Sequence, residues 1–274
     1  MTTINKLAAN RGAGWITDGL AVFKANPGTY LTACLLIGLI SSLPLLGLFI
    51  GLVMPVFYGG LISLLHRQSR GEPIMISNAF DGFQQPGAFA RLLPIVLLNL
   101  AFAVVVFMLL AVTIGMAVYH LISSGQTEPD PRAIMALLPK FALMLVILVP
   151  IGVFFGWVMM LAIPRAMLGT APGMTAIRES FNAVLANIVP FLVNLLCLML
   201  LMFIIVLIMM IPFMLLGVLQ QHSRLLSLLI QIPLMGFFTG GIMAIYCSMM
   251  YQAWREIFGA EDVAATPPVD VFHA

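Results

Sequence analysis

Five long stretches of this chain contain no Asp, Glu, Lys or Arg: residues 25–66, 92–127, 141–164, 180–223 and 225–254. A charged side chain at the centre of a helix in lipid costs roughly 2.5–3.5 kcal/mol, so apolar runs this long and this free of charge mark membrane-crossing helices. Composition points the same way. The chain is 62% hydrophobic and only 8% charged, against about 25% charged residues in soluble domains. With so few charges, a domain of this size could not cover a water-facing surface. The expected class is an all-α, polytopic membrane protein, with residues 1–258 as a single membrane domain and 259–274 as a flexible cytoplasmic tail.

A membrane-crossing helix needs about 20 apolar residues. Residues 92–121, 138–164, 188–217 and 225–254 each supply one span. The 29–66 region is too long for one straight helix and barely long enough for two. Pro44 and Gly47 at its middle suggest two short spans, about 30–46 and 48–66, with a re-entrant hairpin as the competing form. The sum is six transmembrane helices in three hairpins. Basic residues number nine on one side (Lys6, Arg11, Lys24, Arg67, Arg70, Arg91, Arg165, Arg178 and Arg255) and three on the other (Arg132, Lys140 and Arg224). Positive charge near span ends is retained in the cytoplasm, which places both termini there and the polar 122–133 loop outside.

One short pattern recurs ahead of each hairpin: Ile16-Thr17-Asp18-Gly19-Leu20-Ala21-Val22-Phe23, Ile76-Ser77-Asn78-Ala79-Phe80-Asp81-Gly82-Phe83 and Ile177-Arg178-Glu179-Ser180-Phe181-Asn182-Ala183-Val184. Apolar residues at i, i+4 and i+7 put one greasy stripe on a short helix and leave its other face polar. Asn26-Pro27-Gly28 breaks the chain after the first copy and Pro86-Gly87 after the second, while Asn187 follows the third. Each copy is expected to form an amphipathic interfacial helix, with Trp15, Phe23, Phe80, Phe83, Phe89 and Phe181 in the acyl boundary. Lys24, Arg91 and Arg178 would then lie near anionic headgroups. The alternative is that these helices pack against the ends of the bundle and touch no lipid.

A second signature lies inside the hairpins: Pro44-x-x-Gly47-x-x-x-Gly51, Pro150-x-Gly152-x-x-x-Gly156 and Pro233-x-x-Gly236-x-x-x-Gly240. Glycines four apart share a helix face and let another backbone approach, so all six are candidate helix-packing positions, within one chain or between copies.

Groups able to do chemistry are scarce. No nucleophile elbow, zinc-binding HExxH, phosphate-cradling glycine loop or dinucleotide fingerprint occurs, and no two of the four histidines are spaced to bind a metal from one helix face. Cys34, Cys197 and Cys247 all lie in apolar runs, which suggests free thiols. The adjacent methionine pairs 159–160, 209–210 and 249–250 point to different faces, as core filler rather than copper ligands. The net charge of +2 comes without a basic cluster and argues against a nucleic-acid partner. Asn99, Asn194 and Gln231 are the amides expected deep in the spans, where each would bond across helices or line a pore.

Gly14-Trp15-Ile16 through Phe23-x-x-Asn26-Pro27, Gly59-Gly60-Leu61 leading to His66-Arg67, and Gly240-Gly241-Ile242 resemble a diffuse group of bacterial multi-pass membrane proteins. Its better-defined relatives include the membrane domain attached to some glycerophosphodiester phosphodiesterases. The resemblance covers most of the chain and implies a bacterial inner-membrane protein with no catalytic motif to transfer, since the soluble domain and its acidic metal site are missing. The expected function is therefore non-enzymatic and lipid-interacting, as an accessory to envelope or lipid handling, with no cofactor. Its partners would be membrane lipids, with a second copy or another membrane protein possible. The alternative is a small-solute or lipid transporter built from three repeated hairpins.

Overall fold

The computed structural model describes residues 3–25, 27–123, 131–169 and 171–259. Every regular element among them is helical. In chain order these are α1 (Arg11–Ala25), α2 (Pro27–Ser41), α3 (Pro44–Ser69), a 3-10 turn (Ile76–Phe80) running into α4 (Asp81–Gln84), α5 (Ala88–Ser123), α6 (Pro131–Leu168), α7 (Gly173–Ala186), α8 (Ile188–His222) and α9 (Arg224–Phe258). Five of them (α3, α5, α6, α8 and α9) are long and apolar enough to cross a membrane, and α2 is a shorter apolar helix. The chain is a multi-pass membrane protein. The Phe23 side chain, the 124–130 part of the expected outer loop and the tail beyond Gly259 lie outside the described residues.

The break in the first apolar region falls at Ser42–Leu43, slightly before the expected Pro44–Gly47 turn. Proline disfavours helix at the residue before it and suits the first helical position, so Pro44 opens α3 and Leu43 stays extended (φ −78°, ψ 124°). Pro150 and Pro233 instead lie within α6 and α9, so the three prolines of the second signature do not share one role. The α8–α9 turn is a single residue. Ser223 is extended there, and its hydroxyl accepts a hydrogen bond from the Leu226 amide at 3.3 Å, capping α9.

The chain divides into two compact units, Met1–Val96 with Met159–Ala274, and Leu97–Val158. The smaller is a pair of helical segments from α5 and α6, stacked through Phe102 and Phe155 at 4.2 Å between ring centres. In the larger unit burial is concentrated at one end, in the C-terminal parts of α3, α6 and α9, where Leu61–Leu65, Leu161–Met167 and Met249–Trp254 are almost wholly enclosed.

Within that unit α2 lies antiparallel along α9. The Tyr30 hydroxyl donates to the Ala244 carbonyl at 2.8 Å near one end, and the Ser42 hydroxyl reaches the Ile232 carbonyl at 3.2 Å at the other. Between them the two backbones nearly touch. A Cβ on Gly38 would lie 2.5 Å from Gly236 and Gly240 backbone atoms, one on Gly236 2.7 Å from Leu39 Cα, and one on Gly240 2.7 Å from Leu35 Cα. In lipid, where hydrophobic burial gives helices no reason to associate, such backbone contact supplies the packing that does.

Candidate functional site: the charged end of the larger unit

Three helix ends meet short helical elements here, each through an ion pair. At the end of α3, Arg67 Nε lies 3.5 Å from Asp81 Oδ2 at the start of α4, and the Ser63 hydroxyl and Gln85 amide donate to the same oxygen at 2.7 and 2.9 Å. At the end of α6, the buried Arg165 Nε donates to Glu179 Oε2 of α7 at 2.8 Å, and its guanidinium sits 5.2 Å above the Phe258 ring. At the end of α9 the polarity is reversed. Glu256 takes hydrogen bonds from Arg11 of α1, with Nε at 3.0 Å and Nη2 closer still, and from the Trp15 indole at 3.1 Å.

Arg11 also donates to Asp18 at 2.7 Å. Glu256 first, and then Asp18, hold its guanidinium charged even more firmly than an ordinary arginine. The cations of Arg11, Arg67 and Arg165 are thus each neutralised by a named carboxylate. Each pair ties a short element to a long helix, and the most enclosed of them, Arg165–Glu179, is the costliest to break.

α7 is also tied to the segment ahead of α1. Asn187, buried between α7 and α8, accepts from the Leu7 amide at 2.8 Å through Oδ1, and its Nδ2 donates to the Asn5 and Ala183 carbonyls at 3.0 and 3.1 Å. The Asn5 amide in turn donates to the Ile257 carbonyl at 2.9 Å. Tyr251 joins α9 to α3, with its hydroxyl 3.2 Å from His66 Nδ1 and 2.7 Å from Ser69 Oγ.

The aromatic residues expected at the lipid boundary separate into two groups. Trp15 is 0% exposed, packed 5.0 Å from the Phe191 ring with its indole bonded to Glu256. Its ring is enclosed by protein. The cause is glycine: a Cβ on Gly12 would strike the Pro190 carbonyl oxygen and one on Gly19 would crowd Ser248 and Met249, so α1 sinks between α8 and α9. Phe80, Phe83, Phe89 and Phe181 are all exposed. Phe80 and Phe83 lean on Phe57 of α3 at 5.9 and 5.2 Å.

α7 presents three sectors. Gly173, Ala176, Ser180, Ala183 and Val184 are buried; Met174, Phe181 and Leu185 form an exposed apolar strip; Arg178, Asn182 and Thr175 are exposed beside it.

The glycine positions also divide. Gly236 and Gly240 make the contact with α2 described above. Gly47 faces the Ser41 carbonyl across the α2–α3 turn, Gly152 meets only Phe102 at 3.8 Å, and Cβ atoms on Gly51 and Gly156 would meet nothing within 4 Å.

The three amides differ in burial. Asn194 lies less than two turns from the start of α8, donating to the Gly12 carbonyl at 2.9 Å and reaching Met249 Sδ at 3.1 Å, so it anchors α1. Gln231 is exposed on α9, and Asn99 is half-buried in the smaller unit.

The junction residues went unnoticed in the sequence although a signal was present: Arg67 and Asp81, and Arg165 and Glu179, are both fourteen residues apart. Comparison with protein-family models, curated proteins and solved structures found no match.

Proposed function

We propose that this protein is a non-enzymatic, lipid-interacting protein of the bacterial inner membrane, acting as an accessory in envelope or lipid handling. The observation that carries the reading is the three-sector surface of α7. A helix that only packed on protein would need one apolar face, and one lying in water would have no exposed apolar strip. α7 has a buried small-residue face, an exposed strip of Met174, Phe181 and Leu185, and an exposed polar margin holding Arg178. That is the pattern of a helix resting at a membrane surface, with its cation near anionic headgroups. Met75, Ile76, Phe80, Phe83 and Phe89 make a second exposed apolar group around α4.

The same reading assigns six membrane crossings in three hairpins, with both termini cytoplasmic. The α2–α3 turn lies opposite Ile232, twenty-four residues along α9 from Glu256. At 1.5 Å per residue this is roughly 36 Å, enough to cross a hydrocarbon core of about 30 Å. The nine-to-three distribution of basic residues sets the orientation. The non-enzymatic assignment rests on the sequence, which carries no catalytic motif. The resemblance to the membrane domain of glycerophosphodiester phosphodiesterases is in keeping with a role at lipid.

Native mass spectrometry tests the function. The purified protein should retain anionic phospholipids, and an Arg178→Gln, Phe181→Ser variant should retain fewer. Protein released bare, with no lipid preference, would contradict the proposal. Reporter fusions after Gly71 and Gly173 should read inside, and an outside signal at Gly71 would overturn the three-hairpin arrangement.

A further inference from the structure

Close packing accounts for Gly240 but not for its neighbour. A Cβ on Gly240 would lie 2.7 Å from the Cys34 carbonyl oxygen, whereas one on Gly241 would meet nothing within 4 Å. Glycine inside a helix costs about 1 kcal/mol relative to alanine, so protein packing gives no reason for it at 241. What adjoins Gly241 is a cavity of about 340 Å³ between α1, α2, α8 and α9. Leu20, Leu31, Met209, Phe238 and Ile242 are among its walls. Its one side-chain hydroxyl, on Ser248, is already engaged by the Ala244 carbonyl and Tyr30.

The dimensions suit one kind of occupant. Phe237, at one end of the lining, is 61% exposed, so the cavity opens outward within the membrane-crossing length of α9. Along α9 the lining runs from Phe237 to Ser248, a rise of roughly 16 Å and about half of a 30 Å hydrocarbon core. That is about the length of one leaflet's acyl chains. Ser248 lies beside Gly19 of α1, eight residues along α9 from Glu256, and Phe237 lies five residues from Ile232 at the α2–α3 turn, so the cavity straddles the middle of the α9 span. An apolar space of this kind does not hold water, and left empty it forfeits dispersion contacts on every wall.

We propose that this cavity binds one acyl chain of a membrane phospholipid, with Gly241 leaving the room for it. The proposal rests on the lipid-interacting reading above but uses a different surface. Its test is a thermal unfolding series in lipid-free detergent, with and without added phosphatidylglycerol, paired with photolabelling in phosphatidylethanolamine–phosphatidylglycerol vesicles by a phospholipid carrying a diazirine on its acyl chain.

Filling the cavity with Gly241→Leu should raise the Tm in lipid-free detergent by several degrees and abolish the further rise that lipid gives the wild type. Labelling at Met209 and Phe238 should fall several-fold in the variant, while labelling at the exposed Leu200 stays the same. Ile205→Phe narrows the same space from α8 and gives the same readouts should Gly241→Leu fail to insert. A filled variant that still responds to lipid like the wild type, or cavity labelling no stronger than at Leu200 and unchanged by filling, would overturn the proposal. Arg178→Gln should leave cavity labelling intact. Unchanged retention of anionic lipid in the Arg178→Gln, Phe181→Ser variant would count against the surface reading alone.

Discussion

α1 and α7 are similar in length, fifteen and fourteen residues, and each stands ahead of a long apolar stretch with the same apolar spacing. They nevertheless end in opposite environments. α1 carries Gly12 and Gly19 where it meets α8 and α9, and this lets it sink until Trp15 is enclosed. α7 buries only a row of small residues and keeps Met174, Phe181 and Leu185 on the outside. An amphipathic pattern states that a helix has two faces. Whether the large apolar residues meet protein or lipid depends on how closely a neighbouring backbone can approach, and glycine decides that.

The comparison breaks most visibly at its aromatic residues. Trp15→Ala should cost about 3–5 kcal/mol of stability, read by thermal unfolding in detergent, because it empties an enclosed site. A loss as small as that of a surface substitution would mean that α1 is not sunk. The junction that holds α7 should respond almost as strongly. Arg165→Leu leaves Glu179 without the cation it meets at 2.8 Å, and removing one partner of a buried pair costs about 3–5 kcal/mol. Restoration of stability by Glu179→Gln in the same chain would identify the stranded carboxylate as the cause.

Asn187→Ala should cost about 1–3 kcal/mol by leaving the Leu7 amide without its acceptor. Faster proteolysis ahead of Arg11 would report the release of the N-terminal segment. The smallest effect on stability should come from Phe181→Ser, within roughly 0.5 kcal/mol, together with a clear loss of retained lipid. A large stability loss there would show that Phe181 serves the protein core instead.

Much of the fold could be read from the chain, because hydrocarbon imposes severe limits. Charge-free runs set where the long helices lie, and Pro44 and Ser223 set where two of them begin. The site was far less legible. Gly236 and Gly240 carried a recognisable spacing, but their partner Gly38 has no matching glycine four residues away, and Gly51 and Gly156 have the spacing without a partner. Trp15 looked interfacial because its burial depends on Gly12 and Gly19 meeting Pro190 and Met249, on helices far later in the chain. The pairs Arg67–Asp81 and Arg165–Glu179 were detectable only as an equal separation, which acquires meaning once both pairs are seen to join a long helix to a short one.

Quenching of single tryptophans by phospholipids brominated high on the acyl chain tests the division between α1 and α7 most directly. With Trp157 and Trp254 replaced by phenylalanine, Trp15 should remain unquenched in vesicles. A tryptophan placed by Phe181→Trp, with Trp15 also replaced by phenylalanine, should be strongly quenched. Equal quenching at both positions, or none at 181, would contradict the account.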